Sequence, residues 1–188
     1  MMNVTKRVWG AVLTPVFHRA GVWLLALAAV TLGVVWLWAS TVPVLSVTQV
    51  SDGQVVFQSP VHPGSRFTLT YIHSIHRTPV EEIFFVNENK QMVLDAMVFE
   101  SYGVGMPTSL EGEETFRMAD GKMRIEHIDR TLDTFELRIG QVIADHKLLL
   151  RGEEIPLSAL SEPGSAVRFE IDRLHVWEYV KGGLRIDR

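Results

Sequence analysis

Residues 71–82, Tyr-Ile-His-Ser-Ile-His-Arg-Thr-Pro-Val-Glu-Glu, gather a phenol, two imidazoles, two hydroxyls and two carboxylates within a dozen positions. Groups that accept, donate and relay protons are crowded here as nowhere else in the chain. A hydrolytic reading takes Ser74 as nucleophile, His73 or His76 as base and Glu82 as the group that orients the base. Adjacent residues on a strand point to opposite faces, so His73 serves Ser74 only across a bulge, and no Gly-x-Ser-x-Gly elbow accompanies the serine. A metal reading takes His73, His76 and a glutamate as zinc ligands, without a His-Glu-x-x-His helix or a cysteine pair behind it. The third reading is a hydrogen-bonded tyrosine-histidine-glutamate network that fixes a hairpin. It is the one expected here: no catalytic residue, metal or cofactor is assigned, and Tyr71, His73, Ser74 and Glu82 are candidates for contact with a partner or ligand.

A second cluster is Ser101-Tyr102-Gly103-Val104-Gly105-Met106-Pro107. Its glycines let the backbone reach φ > 0 and approach another surface closely. It lacks the third glycine, the following helix and the lysine of a phosphate cradle. Tyr102, Gly103, Gly105 and Pro107 are therefore contact candidates on a structured loop.

The elements that position these clusters are short strands. Residues 66–73 alternate, with Phe67, Leu69, Tyr71 and His73 on one face. Further strands are predicted over 55–58, 80–86, 92–100, 115–118, 123–130, 134–139, 147–150 and 167–171, with a last one through Trp177 and Tyr179. Turn residues separate them, most clearly Asp120-Gly121. A turn near Arg77 would bring Glu81 or Glu82 across from His73. A short helix is expected over 157–160. The pattern predicts an all-β extracytoplasmic domain, a β-sandwich or a partly closed barrel, following one transmembrane helix.

That helix is read over residues 20–40, where no side chain ionises. About 20 apolar residues at 1.5 Å each match a hydrocarbon core roughly 30 Å thick. Lys6, Arg7 and Arg19 precede it and the first acid is Asp52, which predicts a cytoplasmic N-terminal segment over 1–19 and an extracytoplasmic domain over 41–188. The apolar run is longer than that of a secretory signal and ends in bulky Trp36-Leu37-Trp38, so the segment is expected to stay as an anchor. Trp9, Val12, Val16 and Phe17 could line an interfacial helix on the inner leaflet. Ala26, Ala29 and Gly33 put small side chains on one face, where a second helix could approach. Residues 40–48 read as a short tether.

Beyond residue 40 lie all 22 acids and 15 of the 18 Lys and Arg. The domain is acidic and has no basic cluster, which argues against nucleic-acid binding. The chain has no cysteine, excluding disulfides, thiol chemistry and lipoprotein attachment, and favouring a bacterial periplasm over a eukaryotic cell surface.

The two clusters, in this order behind one span, resemble a family of functionally uncharacterised bacterial proteins whose pattern runs Tyr-x-His-Ser, Pro-Val-x-Glu and Gly-x-Gly-x-Pro. Tyr71, His73 and Ser74 match the first element, Pro79, Val80 and Glu82 the second, and Gly103, Gly105 and Pro107 the third. The likeness runs over most of residues 50–172. Members are often encoded beside the fused membrane subunit of TAXI-type TRAP transporters, which move organic acids with an extracytoplasmic binding protein. The resemblance implies a non-enzymatic, single-pass accessory subunit in the bacterial inner membrane. Its partners would be the polytopic transporter subunit, the lipid bilayer and the substrate-binding protein. A membrane-tethered periplasmic hydrolase, metal-binding or ligand-binding domain is the alternative, and an envelope assembly factor a third class.

Overall fold

The computed structural model describes residues 14–101 and 109–178. The first element is helix α1, Thr14–Ala39. Its stretch Gly21–Ala39 is long and apolar enough to cross a bilayer, and among the described residues none of it is buried. Ala26, Ala29 and Gly33 lie on this exposed helix.

Eleven strands follow among the described residues: β1 Thr41–Gln49, β2 Val55–Pro60, β3 Arg66–Ile72, β4 Pro79–Val86, β5 Met92–Phe99, β6 Thr115–Ala119, β7 Lys122–Leu132, β8 Thr134–Arg138, β9 Lys147–Leu150, β10 Glu153–Pro156 and β11 Ala166–His175. They form two antiparallel sheets, one ordered β2-β1-β11-β8 and the other β10-β9-β3-β4-β5-β7-β6. The result is sandwich-like. The alternative of a partly closed barrel is not realised, because each sheet keeps its own two edge strands instead of pairing with the other.

The core follows from strand alternation. Leu45 and Val47 of β1, Phe57 of β2, and Val167 and Phe169 of β11 face Phe67 and Leu69 of β3, Phe84 and Val86 of β4, and Leu148 and Leu150 of β9. Four phenyl rings stack across the two layers in the order Phe67, Phe84, Phe135, Phe169, with centroids 4.9, 5.4 and 4.9 Å apart. A second group, Val80, Phe99, Met123 and Ile125, continues the inner face of the larger sheet.

Several local expectations change. Residues 41–49, read as tether, are a central strand instead. Pro43 is tolerated because its carbonyl accepts from Val61 N–H toward β2, so its missing N–H points where the ladder with β2 ends at Val44 and Pro60. β10 was not expected from its charged sequence; among the described strands it is an edge strand paired with β9. The expected helix over 157–160 is a single 3-10 turn, Leu157–Ala159. Trp177 does not extend the last strand: residues 176–178 turn helical, with the Glu178 carboxylate accepting from the His175 N–H at 3.2 Å.

Along the chain, Ser40 is the single residue between the helix and β1. Ser40 N–H and Oγ both donate to the Trp36 carbonyl, at 2.9 and 2.7 Å, while the Ser40 carbonyl accepts from Val176 N–H at 3.0 Å. Thr41 pairs with His175, and the Trp38 and Trp177 rings stack at 5.5 Å. Both ends of the β1/β11 ladder nearest the helix are thus tied to its last turn.

Candidate functional site

β3 runs from this junction toward the far end of the sandwich, and its seven residues span roughly 23 Å at 3.3 Å per residue. Tyr71 sits on its inner face beyond Phe67 and Leu69. On β4 the inner face reads Val80, Glu82, Phe84, Val86, since Glu82 pairs with Leu69, Phe84 with Phe67 and Val80 with Tyr71. A carboxylate therefore occupies a position in the row that otherwise carries apolar side chains. Tyr71 Oη donates to Glu82 Oε1 at 3.3 Å.

The 139–146 segment lies against this end. Ile72 N–H donates to the Ala144 carbonyl at 2.8 Å, and Leu157 N–H donates to the His146 carbonyl at 2.9 Å. His146 Nδ1 accepts from Gly140 N–H at 3.0 Å, and its ring centroid is 5.4 Å from that of Tyr71. Gly140 is required by space, since a Cβ there would stand 2.4 Å from Ala144 Cβ. His146, which stands apart from both sequence clusters, is thus brought against Tyr71, the partner of Glu82.

His73 goes elsewhere. Its backbone closes the turn between β3 and β4, donating to Thr78 and accepting from Arg77, while its Nδ1 accepts from the N–H groups of Ile75 and His76, both at 3.3 Å. Arg77 takes the left-handed conformation that this turn needs, with φ 55°. The His73 and His76 rings lie 4.8 Å apart, and His76 Nε2 is buried with no hydrogen-bond partner. Ser74 is exposed at the tip of the turn. The expected placement of Glu81 or Glu82 across from His73 is not what forms: the turn consumes residues 73–78, so the ladder ends at Ile72 and Pro79. Glu82 meets Tyr71 instead, and Glu81 lies 3.4 Å from Lys122 on the other face.

Ser74, His73 and Glu82 are accordingly not brought into a relay. Among the described residues no three His, Asp or Glu side chains are grouped as metal ligands. Tyr102, Gly103, Gly105 and Pro107 lie outside the described residues, as do residues 1–13 with Trp9 and Val12, and Tyr179.

Burial sets the protonation chemistry. It pushes the Glu82 carboxyl above its ordinary range, with the Tyr71 hydrogen bond working the other way. The Tyr71 phenol is also pushed up, by burial first and then by the Glu82 charge and hydrogen bond. Burial holds the His146 imidazole below its usual value against the opposing pull of Asp145. The site thus favours a neutral carboxyl, phenol and imidazole relative to solvent, with Tyr71 Oη able to donate and His146 Nδ1 committed as acceptor.

Fold and site define a β-sandwich protein behind a bilayer-length helix, with a half-buried polar cluster at the end remote from that helix. Residues 67–157 are similar to the family described as "Domain of unknown function (DUF1850)". No curated protein and no solved structure matches the chain. The matched stretch holds nearly all of the larger sheet and the whole Tyr71-Glu82-His146 cluster, while β1, β2 and β11, which cover that sheet, lie outside it.

Proposed function

We propose that this chain is a membrane-anchored accessory subunit of a TAXI-type TRAP secondary transporter for small organic acids. In this reading α1 packs on the polytopic subunit with its N-terminus in the cytoplasm. The sandwich stands on the periplasmic side of the inner membrane and presents its far end to the transporter or its substrate-binding protein. The observation that carries the reading is the junction: a wholly unburied apolar helix is joined through one residue to a strand at the centre of its sheet. Such a chain cannot let its domain roam, so the cluster is held at a set height above the bilayer, as a docking subunit requires. Ala26, Ala29 and Gly33 suit close helix approach, and a Cβ added at Gly33 would meet none of the described residues. The resemblance in the Tyr71, Pro79 and Gly103 motifs supplies the transporter class.

Affinity purification of the full-length chain from its native membrane in mild detergent tests this. Stoichiometric recovery of a polytopic transporter subunit is expected, and recovery of the chain alone would overturn it. One observation favours the rival ligand-binding domain: His76 Nε2 is a buried polar atom without a partner. Zinc retained by the full chain and lost in His73→Ala would move the reading to that rival.

A further inference from the structure

An open cavity of about 420 Å³ lies near the helix junction, lined by the 89–91 turn, Asp133 and residues 171–173 of β11. Arg173 pairs with Pro43 and Asp172 with Val44, so this wall begins within a few residues of the last turn of α1. Two cations and two anions face the cavity: Lys90, Arg173, Asp133 and Asp172. Among the described residues the side chains of Lys90 and Arg173 have no ion-pair or hydrogen-bond partner. Asp133 Oδ1 accepts from Gln91 Nε2 at 2.8 Å and Asp172 Oδ1 from the Arg173 N–H at 3.2 Å, which leaves the second oxygen of each carboxylate available.

The cavity wall is built rather than loose. Asn87 N–H donates to the Gln91 carbonyl at 3.0 Å, Gln91 N–H donates to Asn87 Oδ1 at 2.9 Å, and Lys90 N–H donates to the Asn87 carbonyl at 2.9 Å. Lys90 itself is held in the left-handed region, φ 62°, with its side chain at the corner of the turn.

We propose that this cavity seats the headgroup of a zwitterionic phospholipid bearing a primary amine, drawn from the leaflet into which the outer end of α1 emerges. Lys90 and Arg173 take the phosphate, and Asp133 and Asp172 take the ammonium. Position argues for a lipid over a soluble ion. The stacked Trp38 and Trp177 lie at the helix junction, where interfacial aromatic residues belong, and Arg173 on the cavity wall is paired with Pro43, two positions along the ladder from the pairing of Thr41 with His175 at that junction. Charge argues for a zwitterion, since an anionic lipid could give its phosphate to Lys90 and Arg173 but would leave Asp133 and Asp172 beside it with no cation. A quaternary ammonium cannot donate hydrogen bonds to Asp133, so an amine headgroup is preferred over a choline headgroup. The inference needs α1 in the membrane and is independent of the transporter reading.

The test uses full-length protein in mild detergent, offered equal amounts of phosphatidylethanolamine, phosphatidylcholine and phosphatidylglycerol in mixed micelles, with retained lipid weighed by native mass spectrometry. Retention of one phosphatidylethanolamine is expected, favoured over phosphatidylcholine by roughly five- to tenfold. The Lys90→Ala/Arg173→Ala double variant loses retained lipid of every class, whereas Asp133→Asn keeps lipid but loses the preference for the amine. Equal retention of the amine and choline lipids by the wild type, or preference for phosphatidylglycerol, would overturn the proposal. So would a double variant that keeps its melting midpoint and retains lipid like the wild type.

Discussion

Phe84 and Glu82 sit two residues apart on one face of one strand, yet they do opposite things. Phe84 is the second ring in a four-ring stack that ties the two sheets together, and its site is fully apolar. Glu82 brings a carboxylate to the same face, satisfied by one long hydrogen bond from Tyr71. The helix-side half of the sandwich is thus built for cohesion. The far half carries a polar group whose burial works against folding, and an isosteric apolar side chain would serve the core at least as well. The difference locates the part of the molecule whose side-chain choice packing does not explain.

The comparison can be broken most forcefully at the ring stack. Phe84→Ala should cost about 3–5 kcal/mol in chemical denaturation, because a phenyl-sized void opens between layers that cannot both collapse. A loss below about 1 kcal/mol would show that the stack does not hold the sheets. Next is Tyr71→Phe, which strips the carboxylate of its donor and should cost about 1–3 kcal/mol, more at pH 8 than at pH 4.

Glu82→Gln should go the other way, raising stability at pH 8 by roughly 0.5–2 kcal/mol. The sign follows from linkage. The folded carboxyl sits above its unfolded value, so its stabilising contribution is complete below the unfolded value and is lost as pH rises through the folded one. The glutamine removes that loss, and its advantage should vanish in acid; a gain independent of pH would refute the buried-charge account. His146 contributes in the opposite sense, since its folded value is depressed. Its contribution is present above the unfolded value and is lost as pH falls through the folded one. The smallest effect belongs to the outer face, where Arg66 bonds Asp95 at 2.7 Å in reach of water. Arg66→Ala should cost under about 1 kcal/mol and diminish in high salt.

Much of the architecture was legible because short-range rules wrote it. Period-two alternation found β3, apolar runs between turn residues found β4, β5 and β7 to within two residues, and Asp120-Gly121 marked the β6–β7 hairpin. β1 was missed because Pro43 and the adjoining apolar helix disguised it; only pairing with β2 and β11 makes Val44, Leu45 and Val47 core residues. The site was half legible. The segment 71–82 stood out by composition, but its internal partnerships depended on a turn length that fixes register, and composition carries no register. His146 gave no local signal, since its neighbour Tyr71 belongs to a strand far away along the chain.

The amino-acid sequence by itself determined a bilayer-length apolar helix, an acidic cysteine-free β domain, and a segment dense in proton-bearing groups. These depend on composition and periodicity, properties of neighbours along the chain. Tertiary structure decided that the glutamate faces inward onto Tyr71, that His73 serves a turn, and that Lys90 and Arg173 flank one cavity beside the helix junction. Those outcomes rest on which strands pair and in what register, and that is settled only when two sheets close over a shared core.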